Sequence, residues 1–278
     1  MLRERVANDI YVFTSDLYAQ VTAGAIVTRE GVILIDSLPL PVEAREMKSF
    51  LEQVCGTGVR YLLLTHYHAD HTYGAYLFPQ ADVIAHQHYR QLVTEIGIPA
   101  LEAARQEEPA LEEVTIRMPD IILDEGDMEL YLGEKQVQII HSPGHTPDSL
   151  MLYVPEDRVL FAADTVLPVP SIVDGDIDKL RTSLRKVLEL PVENLVQGHG
   201  EVILRGEVQG VIQASLNYLD AIEEKAAKAV KRRNREALLH NNIESCGLSR
   251  IPLNGLVQQV HVANLLYLYD SMVTQERS

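Results

Sequence analysis

Cysteine is scarce in this 278-residue chain, which contains only Cys55 and Cys246. The two residues lie far apart in the sequence and away from every histidine-rich motif. Such a pair fits reduced thiols in a cytosol better than a disulfide. A disulfide-stabilised fold is therefore not expected, and neither cysteine is a convincing metal ligand.

Basic residues are also few, since 24 Lys and Arg stand against 40 Asp and Glu and give a formal net charge of −16. A surface of this charge repels phosphate backbones, and nucleic-acid binding usually depends on clustered Lys and Arg. The one basic cluster, between 225 and 235, falls near the end of a predicted long helix, where cations complement the helix dipole. Nucleic acid is therefore not expected as a partner, and a nuclease is disfavoured.

The chain also lacks a long apolar run, a low-complexity stretch and a secretory signal. Its first nine residues carry charges, and neither an apolar core nor a small-residue cleavage site follows them. With 46% hydrophobic residues, the composition is that of a compact soluble protein. We therefore expect a cytoplasmic protein with no membrane partner, and a core large enough for one domain with an appendage.

Histidine and aspartate are concentrated in one short segment, 65–71, which reads T-H-Y-H-A-D-H. The segment follows an apolar run of strand length and precedes the expected start of a helix. In an extended chain His66 and His68 project to the same side, so both imidazoles can bind one cation. Asp70 and His71 lie further round the turn and can reach a second cation. The segment therefore predicts two adjacent metal sites on a strand-to-helix turn.

This H-x-H-x-D-H string resembles the signature of the metallo-β-lactamase superfamily. Three further segments resemble the rest of that family's pattern, in the same order and each after an apolar, strand-like run. They are P-G-H-T at 143–146, F-A-A-D-T at 161–165, which corresponds to the family's G-D element, and G-H-G at 198–200. One such motif can arise by chance, but four in order are a strong signal. The resemblance covers the chain from about residue 10 to residue 204, and it does not resolve the subfamily.

The resemblance implies a set of seven metal ligands. In this set His66, His68 and His145 bind a first ion, and Asp70, His71 and His199 bind a second ion. Asp164 binds both ions. Imidazole nitrogens and carboxylate oxygens suit two Zn²⁺ ions, with Fe or Mn as alternatives. A bridging carboxylate keeps two cations about 3.5 to 4 Å apart, a separation at which both can share one hydroxide.

The shared hydroxide is the expected nucleophile, because metal binding can lower the pKa of water from near 15.7 to about 7. No serine or cysteine nucleophile is then required, and Asp70 is the candidate to orient the hydroxide and to handle the proton. The sequence thus predicts a dinuclear metal-dependent hydrolase that acts on a small-molecule ester, lactone or thioester. The alternatives are a persulfide dioxygenase with a single iron and a phosphodiesterase or nuclease of the same superfamily.

Departures from subfamily patterns narrow the substrate only slightly. His68 stands where the diiron flavoprotein branch typically has Glu, and Asp164 stands where the true β-lactamases have Cys or Ser, which argues against both activities. Leu167 stands where acyl-homoserine lactonases typically have Tyr, and this places that activity in doubt. Glyoxalase II and the sulfur dioxygenases share the ligands, but their fuller substrate-binding signatures are not found.

The order of elements predicts an α/β (α+β) fold, an αββα sandwich with a C-terminal helical appendage, which the resemblance also implies. Strand-like runs fill much of 10–36, and from Ile121 the pattern is all-β, which predicts a second sheet half. From Val208 apolar residues recur at steps of three and four, typical of an amphipathic helix. We therefore expect a metallo-β-lactamase-like domain over 1–205 and a helical extension over 206–278 packed on it. The oligomeric state is left open, with a homo-oligomer as one alternative.

The segment 86–117 is less regular and predicts two short helices broken at Gly97 and Pro99. These helices can wall the substrate pocket. The segment opens with a second H-x-H pair, His86 and His88, but no further ligand follows at metal-site spacing. We therefore interpret both as histidines that are exposed or that support the site from outside, rather than as ligands.

Several other residues each have two interpretations. Asp36 ends a predicted strand and either supports the metal loop or caps a turn. Gly144 and Gly198 lie beside ligands and either permit a close backbone approach or serve turn geometry. Tyr267 and Tyr269, on the last predicted helix, either reach the pocket or a partner subunit or pack in the core, and core packing is preferred.

Overall fold

The computed structural model describes residues 1–124 and 126–275. Within these ranges the chain forms one seven-stranded and one six-stranded sheet. The strands are β1 Leu2–Ala7, β2 Ile10–Thr14, β3 Thr22–Thr28, β4 Gly31–Ile35, β5 Val59–Leu63, β6 Asp82–His86, β7 Ile121–Leu123, β8 Met128–Leu132, β9 Lys135–His141, β10 Leu150–Val154, β11 Val159–Ala163, β12 Asn194–Gln197 and β13 Ile203–Leu204.

Helices separate and follow these strands. They are α1 Pro41–Val54, α2 Ala69–Thr72, α3 Gln87–Leu92, α4 Ile98–Ala104, α5 Ile177–Val187, α6 Arg205–Arg232, α7 Glu236–Leu239 and α8 Leu256–Gln275. Shorter 3₁₀ turns occupy Tyr73–Leu77, Pro109–Leu111, Ile243–Cys246 and Pro252–Gly255, and a π-helical turn occupies Val93–Gly97. None of the helices in the described ranges combines the length and apolar character needed to cross a membrane.

The two sheets lie face to face and bury a shared apolar core. Side chains of the first sheet, such as Ile33 and Ile84, belong to the same buried cluster as Leu152 and Phe161 of the second sheet. Burying one such side chain stabilises the fold by about 1.5 to 3 kcal/mol relative to leaving it exposed. This shared core joins the two halves of the sandwich.

Helices cover the outer face of each sheet. Met47 and Leu51 of α1 pack in one cluster with Leu34 of the first sheet. Leu184 of α5 and Ile212 of α6 pack in another with strands of the second sheet. The layers therefore run helix, sheet, sheet, helix, and the predicted αββα sandwich with C-terminal helices is confirmed.

Each sheet contains parallel strands where the functional loops leave it. The first sheet follows the order β1 to β7, and β4, β5, β6 and β7 pair in parallel. In the second sheet, of order β13-β12-β11-β10-β9-β8, β11 and β12 pair in parallel. Neighbouring parallel strands end at the same edge of their sheet, so the loops that follow them lie together.

One local prediction was wrong, one strand was missed, and the two short helices were confirmed. The strand at Ile121 was assigned to the second sheet, but β7 pairs in parallel with β6 of the first sheet, because a three-residue apolar run does not specify its partner. The edge strand β1, with its alternating charges, was not predicted. The two short helices predicted in 86–117 are α3 and α4, joined by a π-helical turn that ends at Gly97, and Pro99 falls in the first turn of α4, where a missing N–H is tolerated.

The C-terminal helices begin with α6 at Arg205 and share a core with the second sheet. Ile212 and Leu216 of α6 and Leu265 of α8 belong to the same buried cluster as Leu160 and Leu195 of the sheet. This observation agrees with an extension packed on the sandwich. The division into two domains remains a prediction.

Candidate metal centre

The seven predicted ligands meet at the edge of the sandwich where the parallel strands end. The loop carrying His66, His68, Asp70 and His71 follows β5. Asp164 directly follows β11. The neighbouring strand β12 ends beside the last residue of β11 and leads to His199. The remaining ligand, His145, lies in the connection between β9 and β10.

The first group of donor atoms comes from three histidines. His66 Nε2 lies 3.1 Å from His68 Nδ1, and His145 Nε2 lies 3.0 Å from the same atom. Asp164 Oδ2 lies 3.3 Å from His145 Nε2. A tetrahedral zinc ion at about 2.0 to 2.1 Å from each nitrogen holds its ligand atoms roughly 3.3 Å apart. The four side chains therefore fit one such ion.

The second group combines Asp70, His71 and His199. Their ligand atoms lie within 4.8 Å of one another. Asp70 Oδ2 lies 3.2 Å from His199 Nε2, and His71 is fully buried. Together with Asp164, which lies next to His71, this group offers two imidazoles and two carboxylates, donor types that suit a zinc ion.

Asp164 lies between the two groups. One carboxylate oxygen faces the first group, and the other, Oδ1, lies 3.2 Å from His71 Nε2. Both Asp164 Oδ1 and His71 Nε2 are buried and have no hydrogen-bond partner among the described residues. Because unpaired buried polar atoms cost free energy, their convergence fits a cation between them. Asp164 therefore lies within reach of both groups of donor atoms, and its bridging role remains a prediction.

The outer ring nitrogens of three ligand histidines are held by protein oxygens. The pairs are His71 Nδ1 with Asp36 Oδ2 at 2.8 Å, His145 Nδ1 with the Ser171 carbonyl at 3.0 Å, and His199 Nδ1 with the Ala19 carbonyl at 2.9 Å. Each contact fixes the ring and directs Nε2 inward, which is how supporting residues position metal ligands.

Asp36 supports the metal loop and also sits at a turn. Its carboxylate accepts hydrogen bonds from Thr65 N at 2.9 Å, from Thr65 Oγ1 at 2.8 Å and from His71 Nδ1. Burial raises its pKa above the ordinary value, while the contacts with His71 and Thr65 oppose that rise. These contacts favour the first interpretation of Asp36, support of the metal loop, and its φ of 57° places its backbone in a left-handed conformation.

The electrostatics of the site keep its carboxylates ionised. Burial alone raises the pKa of a carboxyl group, but His71 and His199 outweigh that effect and hold the pKa of Asp70 and of Asp164 below the usual range. Burial lowers the pKa of His145 to about 4, which leaves its imidazole neutral. Neutral imidazoles and charged carboxylates are the forms that bind metal.

His71 has the opposite shift. Burial opposes the charged imidazole, but the carboxylates of Asp164, Asp36 and Asp70 raise its pKa well above the ordinary value. Three acidic groups around one buried imidazole create a strong demand for positive charge. A metal cation supplies that charge without a proton on the ring.

Two glycines allow the backbone to approach the site. A Cβ on Gly198 would lie 1.9 Å from Asp164 Oδ1, and a Cβ on Gly144 would lie 2.3 Å from the Leu180 backbone. Gly144 also has a φ of +144°. The close approach predicted for both glycines is present.

Cavities lie on both sides of the ligands. One, of about 300 Å³, extends from His68 and His199 toward the start of α8. The other, of about 270 Å³, lies between Asp70 and the helical segment, where Ile96, Gly97 and Ala100 form its wall. The segment 86–117 therefore walls a pocket at the site, as predicted.

Other residues have positions that the sequence did not give. His86 is buried and stacks on His141, with ring centroids 4.0 Å apart, which excludes the exposed alternative for His86, whereas His88 is exposed. Neither belongs to the two groups of donor atoms found among the described residues. Asp174, whose Oδ2 lies 3.6 Å from His68 Nε2, was not singled out. Tyr267 donates a hydrogen bond to the Gly175 carbonyl at 3.0 Å and so packs against the loop near the site. No sequence pattern marks Asp174, which follows the last apolar residue of that loop.

Residues 18–199 match the model of the family described as the Metallo-beta-lactamase superfamily. A hydroxyacylglutathione hydrolase from Chelativorans sp. (strain BNC1) is 30% identical over 177 residues, covering 61% of this chain and 61% of that protein. An acyl-coenzyme A thioesterase, MBLAC2 from Homo sapiens, is 29% identical over 156 residues, covering 49% of this chain and 54% of that protein. The chain spans about half the length of the curated relatives it matches.

A solved structure extends the similarity to the C-terminal helices. The stereoselective inverting sec-alkylsulfatase Pisa1 from Pseudomonas sp. superimposes with a TM-score of 0.73 at 17% sequence identity. The match covers 97% of this chain and 50% of that chain. At this identity the comparison supports the fold alone.

Proposed function

We propose that this chain, which belongs to the metallo-beta-lactamase superfamily, is a metal-dependent hydrolase that uses two metal ions to cleave a small ester, lactone or thioester. The observation that carries the proposal is the position of Asp164. Its two oxygens face two separate groups of donor atoms, 3.3 Å from His145 Nε2 and 3.2 Å from His71 Nε2. Zn²⁺ is the proposed metal, because imidazole and carboxylate donors suit it.

The side chains of the site have distinct tasks in this proposal. When bound, the two ions supply Lewis acidity and lower the pKa of the attacking water. Asp164 holds the two donor groups together, and Asp36 keeps His71 in the orientation that directs Nε2 inward. Asp70, beside both cavities, orients the water and passes its proton to the leaving group.

The relatives support a carbonyl substrate, and the charge of the chain supports a small molecule. The hydroxyacylglutathione hydrolase and the acyl-coenzyme A thioesterase are named for hydrolysis of thioesters. A formal net charge of −16 disfavours nucleic acid, so a phosphodiesterase acting on polynucleotides is the weaker alternative. We propose no nucleic-acid and no membrane partner.

A substrate panel tests the proposal. The protein as purified and its zinc-loaded form are assayed on a lactone, a thioester, an aryl ester, a phosphodiester and a persulfide, with Asp164→Ala as the matched variant. We expect turnover of at least one carbonyl substrate, lost on chelation and reduced by several orders of magnitude in Asp164→Ala. Turnover confined to the phosphodiester, or oxygen consumption on the persulfide, would contradict the proposal and favour one of the alternatives.

A further inference from the structure

We propose that the cavity between the metal ligands and the start of α8 binds an uncharged aliphatic chain, which makes the substrate an ester or thioester of a medium-length fatty acyl group or a lactone with an alkyl tail. The inference rests on the proposed hydrolytic function and names the substrate class of the same site. It follows from the residues that form the wall, from how firmly the wall is held, and from the charges that the cavity lacks.

The wall opposite the ligands is apolar. Leu167 and Val169 come from the loop after β11, and Leu253, Leu256 and Val260 come from the start of the last helix. Leu256 is 39% exposed, although a leucine at this position gains by leaving water. An exposed apolar surface that lines a cavity marks a binding site for an apolar group.

The backbone at this wall is strained. Leu253 has a φ of 52° and Asn254 a φ of 54°, which are left-handed conformations that a leucine rarely adopts. The two residues form the turn that starts α8. Strain of this kind persists only where the surrounding structure holds it, and it is concentrated at functional sites.

The two sides of the wall are fixed to each other. Asn264 on α8 is fully buried, donates to the Pro170 carbonyl at 2.7 Å and accepts from Ile172 N at 3.0 Å. Ser171, between these two residues, holds the ring of His145. The apolar wall is therefore set at a fixed position relative to the metal ligands. A bound acyl chain then holds its carbonyl carbon at one position relative to those ligands.

Away from the metal ligands, neither cavity at the site offers a cationic side chain to an anionic substrate. Among the described residues that line them, none is Lys or Arg, whereas Asp70 and Asp174 are present. Carboxylates and phosphates are recognised by Arg and Lys in most binding sites. The polar side chains of the first cavity away from the ligands, Tyr18, Ser171 and Gln259, are neutral. A charged group on the chain gains no partner there and loses its hydration.

Thioesters of N-acetylcysteamine test the inference, because this leaving group is uncharged. We expect kcat/KM on the zinc-loaded protein to rise from the acetyl through the butanoyl to the hexanoyl thioester, by about three- to fourfold for each methylene that the wall covers. The adipyl thioester has the length of the hexanoyl one but ends in a carboxylate. Its kcat/KM should be at least tenfold lower than that of the hexanoyl thioester.

A pair of variants tests whether the apolar wall causes the preference for the hexanoyl over the adipyl thioester. Leu256→Lys places a cation in the cavity, whereas Leu239→Lys places one at a leucine that is 46% exposed on α7 and does not line the cavity. The ratio of hexanoyl to adipyl turnover should fall at least tenfold in Leu256→Lys and should not change in Leu239→Lys.

Binding of a ketone separates the inference from the proposed function. The neutral, non-hydrolysable 2-octanone should bind the zinc-loaded protein more tightly than acetone in calorimetry, and Leu256→Lys should abolish the difference. If no ester, lactone or thioester is hydrolysed but this binding is seen, the proposed function fails and the apolar cavity stands. If thioesters are hydrolysed without dependence on chain length, or the adipyl substrate is preferred, the inference is overturned and the function stands.

Discussion

Asp36 holds both ends of the metal loop through one carboxylate. It holds the backbone and side chain of Thr65 at the start of the metal loop and the ring of His71 at its end. It was recognised in the sequence only as an aspartate at the end of a strand, with turn capping as an equal alternative. The distinction needed the three-dimensional path of the loop.

Asp36→Asn tests this support. The asparagine amide cannot accept from both Thr65 and His71, so the imidazole is free to turn, and the affinity for the second metal should fall by about 10- to 100-fold. Competition with a chelator of known affinity measures the loss. Asp82→Asn, at a 41% exposed carboxylate paired with Arg60, is the control and should keep parental affinity. Equal affinities in the two variants would show that Asp36 has no role beyond the turn.

Gly198→Ala tests the close approach of the backbone. A Cβ there would lie 1.9 Å from Asp164 Oδ1, so the carboxylate must move and the second metal should be lost, with activity falling more than about tenfold. The matched control is Gly210→Ala in α6, where a Cβ meets nothing within 4 Å. The control should keep its metals and gain about 0.5 to 1 kcal/mol, because alanine favours a helix. Metal content and thermal melts distinguish the outcomes.

At the scale of elements, the sequence was most informative where several motifs agree. The ligand loops were predicted because His66, His145, Asp164 and His199 each follow a strand-like run, and parallel strands bring such loops to one edge. The partner of β7 was not predictable, because three apolar residues fit either sheet equally well. Leu256 and its neighbours lie far beyond His199 in the sequence, in a helix whose apolar residues resemble any packed face. Which of them face the cavity depends on the packing of α8.

The contact between α6 and α8 includes a buried histidine whose charge opposes folding. Tyr218 OH lies 3.0 Å from His261 Nδ1, and burial lowers the pKa of His261 to about 4. Between pH 6.5 and pH 4 the unfolded chain takes up a proton that the folded chain does not. The contribution of neutral His261 to the free energy of unfolding is therefore fully present above pH 6.5. It is lost as the pH falls through this range, by at most about 1.4 kcal/mol per pH unit.

His261→Asn removes this titration while leaving an acceptor for Tyr218. The free energy of unfolding of the parent should decline more steeply from pH 6.5 to pH 4.5 than that of the variant. Comparing the two proteins at each pH cancels the protonation of the metal ligands, which both share. Denaturant melts supply the values, and parallel pH profiles would contradict this assignment.

At the scale of the whole molecule, the C-terminal helices complete the second half of the sandwich. Ile212, Leu216 and Leu265 share a cluster with Leu160 and Leu195 of the second sheet. Asn264 also holds the loop that carries the Ser171 carbonyl. The extension therefore contributes both to the core and to the position of a ligand, although all seven ligands precede it.

Truncation after Leu204 should therefore unfold the protein. Each buried leucine or isoleucine contributes about 1.5 to 3 kcal/mol, and a whole domain is stable by only about 5 to 15 kcal/mol. Circular dichroism and the soluble fraction after expression measure the effect. A chain that ends at Val273 keeps these contacts and should behave as the parent. A soluble, cooperatively folding chain of residues 1–204 with parental metal content would show that the helices are dispensable.

The ratio of metal to protein in the purified chain and in Asp164→Ala tests the two-metal account most directly. Elemental analysis should give close to two transition-metal ions per parent chain, mostly zinc. It should give about one metal ion per chain in the variant, which lacks the carboxylate between His145 and His71 while the sandwich core remains folded. One tightly bound iron per parent chain, or two metals retained by a well-folded Asp164→Ala, would contradict it.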